Sequence, residues 1–317
     1  MGAWVDVDLL SSLSSFVDPV RGYEERFVMP TLGGARTIAT ITEPLGASRS
    51  IGWVICHSFG LEQVYLRTME AAFARAMASA GFPSVRIHGR GYGDGAFVPE
   101  GVGLSSHVED AVDAVDLLLA ETGVAEIGLA GPRFGASVAA IVAARRGASG
   151  LIMWDPVVSG KRFLDAMQQQ TLLSSLAGKD SAPQPARPLS VADEPIDLQG
   201  IPLNDRASKE IAALHLTDEV ASFAGRGLVV QISRAGEASP DVRRLLSAFR
   251  EGGGSVDFEH VPPGAKQRPF GGPSFRGNLD GTKVDTQREL QGNLIERAVG
   301  WAERSWPVSS DTGEESE

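Results

Sequence analysis

Apolar positions along this chain recur with two periods, two and about 3.6, and the two periods take turns. Tyr23 to Pro30 and Ala35 to Pro44 alternate apolar with polar and read as a strand pair turned at Gly33-Gly34. The apolar run Ile51 to Cys56 follows, then a helical stretch from Tyr65 to Ala80 that Gly81-Phe82-Pro83 stops. Ser84 to His88 is the next strand, leading into the glycine-rich turn Gly89-Arg90-Gly91-Tyr92-Gly93-Asp94-Gly95. From Ser106 to Thr122, Val108, Val112, Val115, Leu118 and Leu119 share one helical face. Glu126 to Ala130 is a strand, Gly131 to Gly135 a turn, the small residues through Arg145 a helix, and Gly150 to Asp155 a strand. Strand and helix alternating in this way predict parallel crossover units and an α/β sheet covered on both faces.

The rhythm breaks between Gly160 and Ala224. Met167 to Leu176 and Asp205 to Leu216 read as helices around a stretch rich in Pro, Ser, Asp and Ala, Gly178 to Pro202. Since Gly227 to Ser233 resumes the strand pattern, residues 160–224 are expected to form an inserted lid with a mobile stretch inside. Asp241 to Glu251 is a helix, Ser255 to Val261 a strand, Pro262 to Asp285 a polar loop, and a last helix runs to Trp306. The core is then 23–159 and 225–306, preceded by an extension, 1–22, and followed by an acidic tail, 307–317, expected to be disordered.

Charge and cysteine content narrow the function. With 29 Lys and Arg against 40 Asp and Glu, the net charge of −11 offers no field for nucleic acid or an anionic membrane face. A single cysteine, Cys56, excludes an internal disulfide and any multi-cysteine metal site and suits a reducing compartment. The first residues carry Asp6 and Asp8 and no preceding Lys or Arg, unlike a signal peptide, and no window is apolar enough to span a bilayer. A cytoplasmic protein is expected, and a homodimer is compatible with the sequence. No metal-ligand spacing, phosphate loop or dinucleotide fingerprint occurs, so no metal or cofactor is expected.

The chemistry concentrates at Gly131-Pro132-Arg133-Phe134-Gly135, where a strand meets a small-residue helix. This is the frame of the G-x-S-x-G nucleophile elbow, in which a strained turn stands the serine at a helix N-terminus, but its centre is arginine. His57-Ser58-Phe59-Gly60 follows the first core strand, where the fold supplies an oxyanion-hole amide, and Gly91-Tyr92-Gly93-Asp94-Gly95 is similar to the G-x-G-x-S turn after the next strand. Together with Trp154-Asp155-Pro156-Val157-Val158-Ser159-Gly160 and Phe163, these motifs resemble the exosortase A system-associated hydrolase-like proteins of the serine aminopeptidase-like branch. The resemblance spans residues 25 to 165. It implies the α/β-hydrolase fold and makes the elbow arginine a lineage feature, since that group tends to share it.

The remaining triad positions are weak. The acid place, after the strand that follows the insertion, offers Glu237 or Asp241. The loop after the last strand, Pro262 to Asp285, holds no histidine, and His260 lies inside the strand before it. A guanidinium stays protonated and cannot accept an acyl group, so ordinary serine hydrolysis through Arg133 is excluded. Ser137, one helical turn on, reads as a small residue packed on the sheet, and Ser58 as a loop cap or a pocket hydroxyl. His57 and His88 are the histidines expected to face the site. His107 and His215 look exposed on helices, and Cys56 points away from His57 on its strand.

A guanidinium at a helix N-terminus is costly unless an anion answers it. Two answers are open: an internal acid, with Asp155 or Glu237 nearest by topology, or a ligand carboxylate or phosphate held bidentately. The loop Gly264 to Lys283, with Lys266, Arg268, Arg276 and Lys283, is locally basic and could close over such a ligand or stay solvated. One expectation is therefore a protein binding an acidic small molecule, acyl group or peptide in a biosynthetic pathway, with Arg133, Phe59, Phe134 and Asp155 at the ligand. The other is a lyase, cyclase or transferase using His57, Ser58, His88 or Glu237, with Arg133 orienting the substrate.

Overall fold

The computed structural model describes residues 14–96, 102–177, 196–198, 201–263 and 281–307. Among the described residues, nine strands form one sheet: β1 (Ser15–Asp18), β2 (Tyr23–Val28), β5 (Ala39–Pro44), β6 (Ile51–Ile55), β7 (Ser84–Ile87), β8 (Glu126–Pro132), β9 (Gly150–Trp154), β12 (Arg226–Ile232) and β13 (Ser255–Val261). Their order across the sheet is β1-β2-β5-β7-β6-β8-β9-β12-β13. The first four are antiparallel and the rest parallel, from β7 to β13. A small hairpin of β3 (Thr31–Leu32) and β4 (Ala35–Arg36) carries the Gly33-Gly34 turn. β1 adds an edge strand from within the segment that sequence assigned to the extension.

The parallel strands are linked by α1 (Leu61–Ser79), α2 (Leu104–Thr122), α3 (Phe134–Arg146) and α7 (Pro240–Glu251), and α8 (Gly281–Ser305) comes after β13. Period-two alternation persists inside strands that are buried throughout. Ile51, Trp53 and Ile55 of β6 face α1 and α8, while Val54 and Cys56 face α2 and α3. Ile152 and Trp154 of β9 divide from Leu151 and Met153 in the same way. Burying both faces of these strands is the largest favourable contribution to folding.

The topology fixes where a site can form. From β6 the chain crosses through α1 to β7 on one side, then through α2 to β8 on the other, so the C-terminal ends of β6 and β8 sit side by side where the order reverses. Open parallel sheets bind ligands in the crevice at such a point. The Cys56 N–H bonds the Ala130 carbonyl at 2.8 Å, which brings the His57–Gly60 loop against the elbow.

Between β9 and β12 lie α4 (Gly160–Ala177), the strand pair β10 (Ile196–Leu198) and β11 (Ile201–Leu203), α5 (Asp205–Ala212) and α6 (Leu216–Val220). Part of the stretch read as mobile is thus an antiparallel pair, while residues 178–195 lie outside the described residues. The single helix read from Asp205 to Leu216 is broken at Ala213 to His215. Gly160 N–H bonds the Leu214 carbonyl and Leu216 N–H the Val158 carbonyl, so this backbone serves a sheet-like contact that a helix would forfeit. The first 13 residues, most of the basic loop (264–280) and the tail from 308 also lie outside the described residues.

Candidate functional site

Arg133 occupies the turn between β8 and α3 at φ 53 and ψ −120. Such a conformation costs about 1–3 kcal/mol in a residue with a Cβ and persists only where the surroundings impose it. They do so here. Arg133 N–H bonds the Trp154 carbonyl at 2.9 Å, and the Arg133 carbonyl accepts Ala136 and Val157 N–H at 3.1 and 3.3 Å. The flanking glycines are steric requirements, since a Cβ on Gly135 would lie 2.2 Å from the Cys56 carbonyl oxygen and one on Gly131 2.4 Å from the Gly135 carbonyl carbon. The turn therefore has the strained strand-to-helix geometry that its glycine spacing predicts.

Among the described residues, two carboxylates answer the Arg133 guanidinium. Its Nη1 lies 2.9 Å from Asp155 Oδ2 and also bonds the Asp155 carbonyl at 3.2 Å, while its Nε donates to Glu62 Oε1 at 3.2 Å. The other Glu62 oxygen accepts the Ser58 hydroxyl at 2.8 Å. Burial alone would lower the guanidinium's pKa, but the facing Glu62 and Asp155 more than offset it and hold the group charged. Burial raises the Asp155 carboxyl, with Arg133 opposing. Asp155 itself sits at φ 44 directly after β9, its N–H on the Val230 carbonyl at 2.7 Å.

Of the two internal acids expected for Arg133, Asp155 makes the contact, whereas Glu237 stands exposed in the turn after β12. Glu62 escaped the sequence reading because the helix period became clear only from Tyr65. Its carboxylate is actually in the first turn of α1, beside the oxyanion loop.

The His57 ring does not face an opening. It is buried beneath the loop, its Nδ1–H on the Ser58 carbonyl at 3.0 Å, and packs on Tyr92 and His107 with ring centroids 4.9 and 4.8 Å away. Burial lowers its pKa to about 4. His107 is corrected from exposed to buried, at 4% exposure: its face of α2 turns inward with Val108 and Ala111. Its Nδ1–H bonds the Gly103 carbonyl at 2.7 Å, its buried Nε2 has no partner, and burial followed by repulsion from His57 pushes its pKa down to about 3.

Phe59 and Phe134, expected at a ligand, are fully buried. Their rings stand 5.4 Å apart and pack with Phe163 of α4, which stacks on Phe134 at 5.5 Å. His88, at the end of β7, lies between Arg67, 3.0 Å from Nε2, and the exposed Asp94, 3.3 Å from Nδ1; burial lowers its pKa. The Ser137 hydroxyl donates to the Val157 carbonyl at 2.8 Å and is fully buried, a packing role. His260 bonds the Ser233 carbonyl, and His215 is exposed at the start of α6. Burial pushes the Cys56 thiol far up, so it is inert as a nucleophile. Sequence also missed Glu70 of α1, a buried acid near the Ser58 backbone N–H that burial pushes up to about 8, against Arg86 and Arg67.

Neither a family model nor a curated protein matches the sequence. Solved structures do match. Est1E from Butyrivibrio proteoclasticus, with ferulic acid bound, is 16% identical over 85% of this chain and 98% of its own, with a TM-score of 0.54. An esterase from Pyrococcus furiosus is 11% identical over 89% and 93%, with a TM-score of 0.54. An α/β serine hydrolase without lid from Xanthomonas campestris is 16% identical over 90% and 96%, with a TM-score of 0.51. At these identities the likeness is one of architecture, and the protein has the α/β-hydrolase fold.

Proposed function

We propose that this α/β-hydrolase fold does not hydrolyse. Arg133 stands in place of a nucleophile, and the elbow binds the anionic group of a small molecule, acyl group or peptide, as an accessory step in a biosynthetic pathway. The observation that carries this reading is the Glu62–Arg133–Asp155 cluster at a strained elbow. A turn that costs energy is kept with a permanent cation at its centre.

The histidines add support. Serine activation needs an imidazole within hydrogen-bond reach of the hydroxyl. The chain has five histidines, all described, and none of them bonds a hydroxyl among the described residues. The exosortase A system-associated hydrolase-like proteins that the sequence resembles also tend to have arginine at the elbow centre. Residues 160–224 are read as a lid, which the stacking of Phe163 on Phe134 supports.

A second reading, a lyase, cyclase or transferase, rests on His88, whose Nδ1 lies near the Asp94 carboxylate. Its Nε2 already accepts from Arg67, so it offers no open base, and the binding reading is preferred.

With p-nitrophenyl acetate, the protein is expected to release nitrophenol at the rate of buffer alone. Turnover that disappears in Ser58→Ala or Ser137→Ala would overturn the proposal.

A further inference from the structure

Asp155 and Glu62 hold Arg133 in different ways. Asp155 is fixed by its backbone, at φ 44 with its N–H on Val230, and gives Arg133 two bonds from one residue, carboxylate and carbonyl. Glu62 reaches in from the first turn of α1 on a longer side chain and is held by side-chain contacts, to Arg133 Nε and the Ser58 hydroxyl. Its two oxygens take two different donors, 3.2 and 2.8 Å away, as the carboxylate of a bound ligand would.

The cluster also has an accessible side. The side chains of Arg133, Asp155 and Glu62 are 26, 21 and 19% exposed. Among the described residues, one guanidinium facing two carboxylates leaves a negative surplus that repels an arriving anion until one carboxylate leaves. Glu62 is the one that can. Swung outward it remains at the N-terminal end of a 19-residue helix, where the helix dipole favours a negative side chain.

We infer that Glu62 is a built-in substitute for the carboxylate of a small monocarboxylic ligand, which binds by displacing Glu62 from Arg133 and Ser58 while Asp155 stays in place. This rests on the reading of the elbow as an anion site and names the ligand chemistry and the contact that caps it. A monocarboxylate replaces Glu62 charge for charge and oxygen for oxygen. A phosphate would bring a further oxygen and more negative charge beside Asp155.

The test follows the arginine Nε–H signals of the full chain by NMR during titration with hexanoate, the Arg133 signal being assigned by its loss in Arg133→Lys. Hexanoate is expected to shift that signal weakly in the wild type and to bind Glu62→Gln at least tenfold tighter, with Glu62→Ala as a second variant should glutamine retain the old contacts. Equal affinity in wild type and both variants, with the Arg133 signal still shifting, overturns the capping role and leaves the anion site standing. No shift of the Arg133 signal by hexanoate in any of these proteins overturns both. Tighter binding of inorganic phosphate than of hexanoate by Glu62→Gln overturns the carboxylate assignment.

Discussion

Replacing Glu70 by glutamine is expected to stabilise the protein by about 5 kcal/mol at pH 9 and to change little at pH 4. Glu70 is buried under α1 with one carboxyl oxygen, Oε1, left without a partner, and burial raises its pKa from 4.5 to about 8. A carboxyl raised on folding binds its proton in the folded state while the unfolded chain has lost it. Its contribution is therefore intact below pH 4.5 and is lost as pH rises toward 8. At about 1.4 kcal/mol per unit, the gap of 4.5 to about 8 sets the size of the effect. Glutamine keeps an acceptor oxygen near the Ser58 N–H and never charges. Urea denaturation of both proteins at pH 4 and pH 9 checks this, and a stability difference that does not grow with pH would contradict the buried-acid assignment.

Acid acts through the opposite group. His57 and His107 are neutral rings 4.8 Å apart, each with Nδ1–H on a backbone carbonyl, and their pKa values fall from 6.5 to about 4 and about 3. A histidine depressed on folding is neutral in the folded state while the unfolded chain takes up a proton. Its stability contribution is complete above pH 6.5 and is lost progressively as pH falls toward the folded value. For His107 the loss reaches about 3 kcal/mol by pH 4.

His107→Phe removes that titration and keeps a ring against Phe59 and Phe134. The Gly103 carbonyl still accepts the residue-107 amide and the Ser106 hydroxyl. The stability of the variant relative to wild type is expected to improve by about 3 kcal/mol between pH 7 and pH 4. The measurement is thermal or urea unfolding at the two pH values. A relative stability independent of pH would show that His107 is already charged, or not buried, in the folded state.

The architecture was legible because it is written in repeated, local signals. The all-apolar run Ile51 to Cys56, the 3.6-residue spacing from Val108 to Leu119 and the glycines at 131 and 135 each follow from one physical requirement. The first two reflect burial on both sheet faces and on one helix face, and the third the absence of room for a Cβ. The site was legible only in part. Arg133 declared itself by its place in a motif and Asp155 by its place after a strand. Glu62 lies where the helix has begun but its apolar stripe has not. His107 looked exposed because its helix has apolar residues on more than one side. Inward direction is set by which face meets the Phe59–Phe134 cluster, a tertiary fact with no local signature. Glu70 is an acid on a buried helix face, opposite Arg86 of the sheet, and composition assigns such residues to the surface.

On the proposed reading, one chemical distinction separates this elbow from a hydrolytic one. A catalytic elbow presents a hydroxyl made nucleophilic by a nearby base, whereas here the hydroxyls of Ser58 and Ser137 are donated to Glu62 and to the Val157 carbonyl. No imidazole accepts either proton. A fluorophosphonate, which phosphonylates an activated serine and displaces fluoride, reads this difference directly. Incubated with the full chain at neutral pH and followed by intact mass, it is expected to leave the protein unmodified. A stoichiometric adduct mapped to Ser58 or Ser137 would contradict the account.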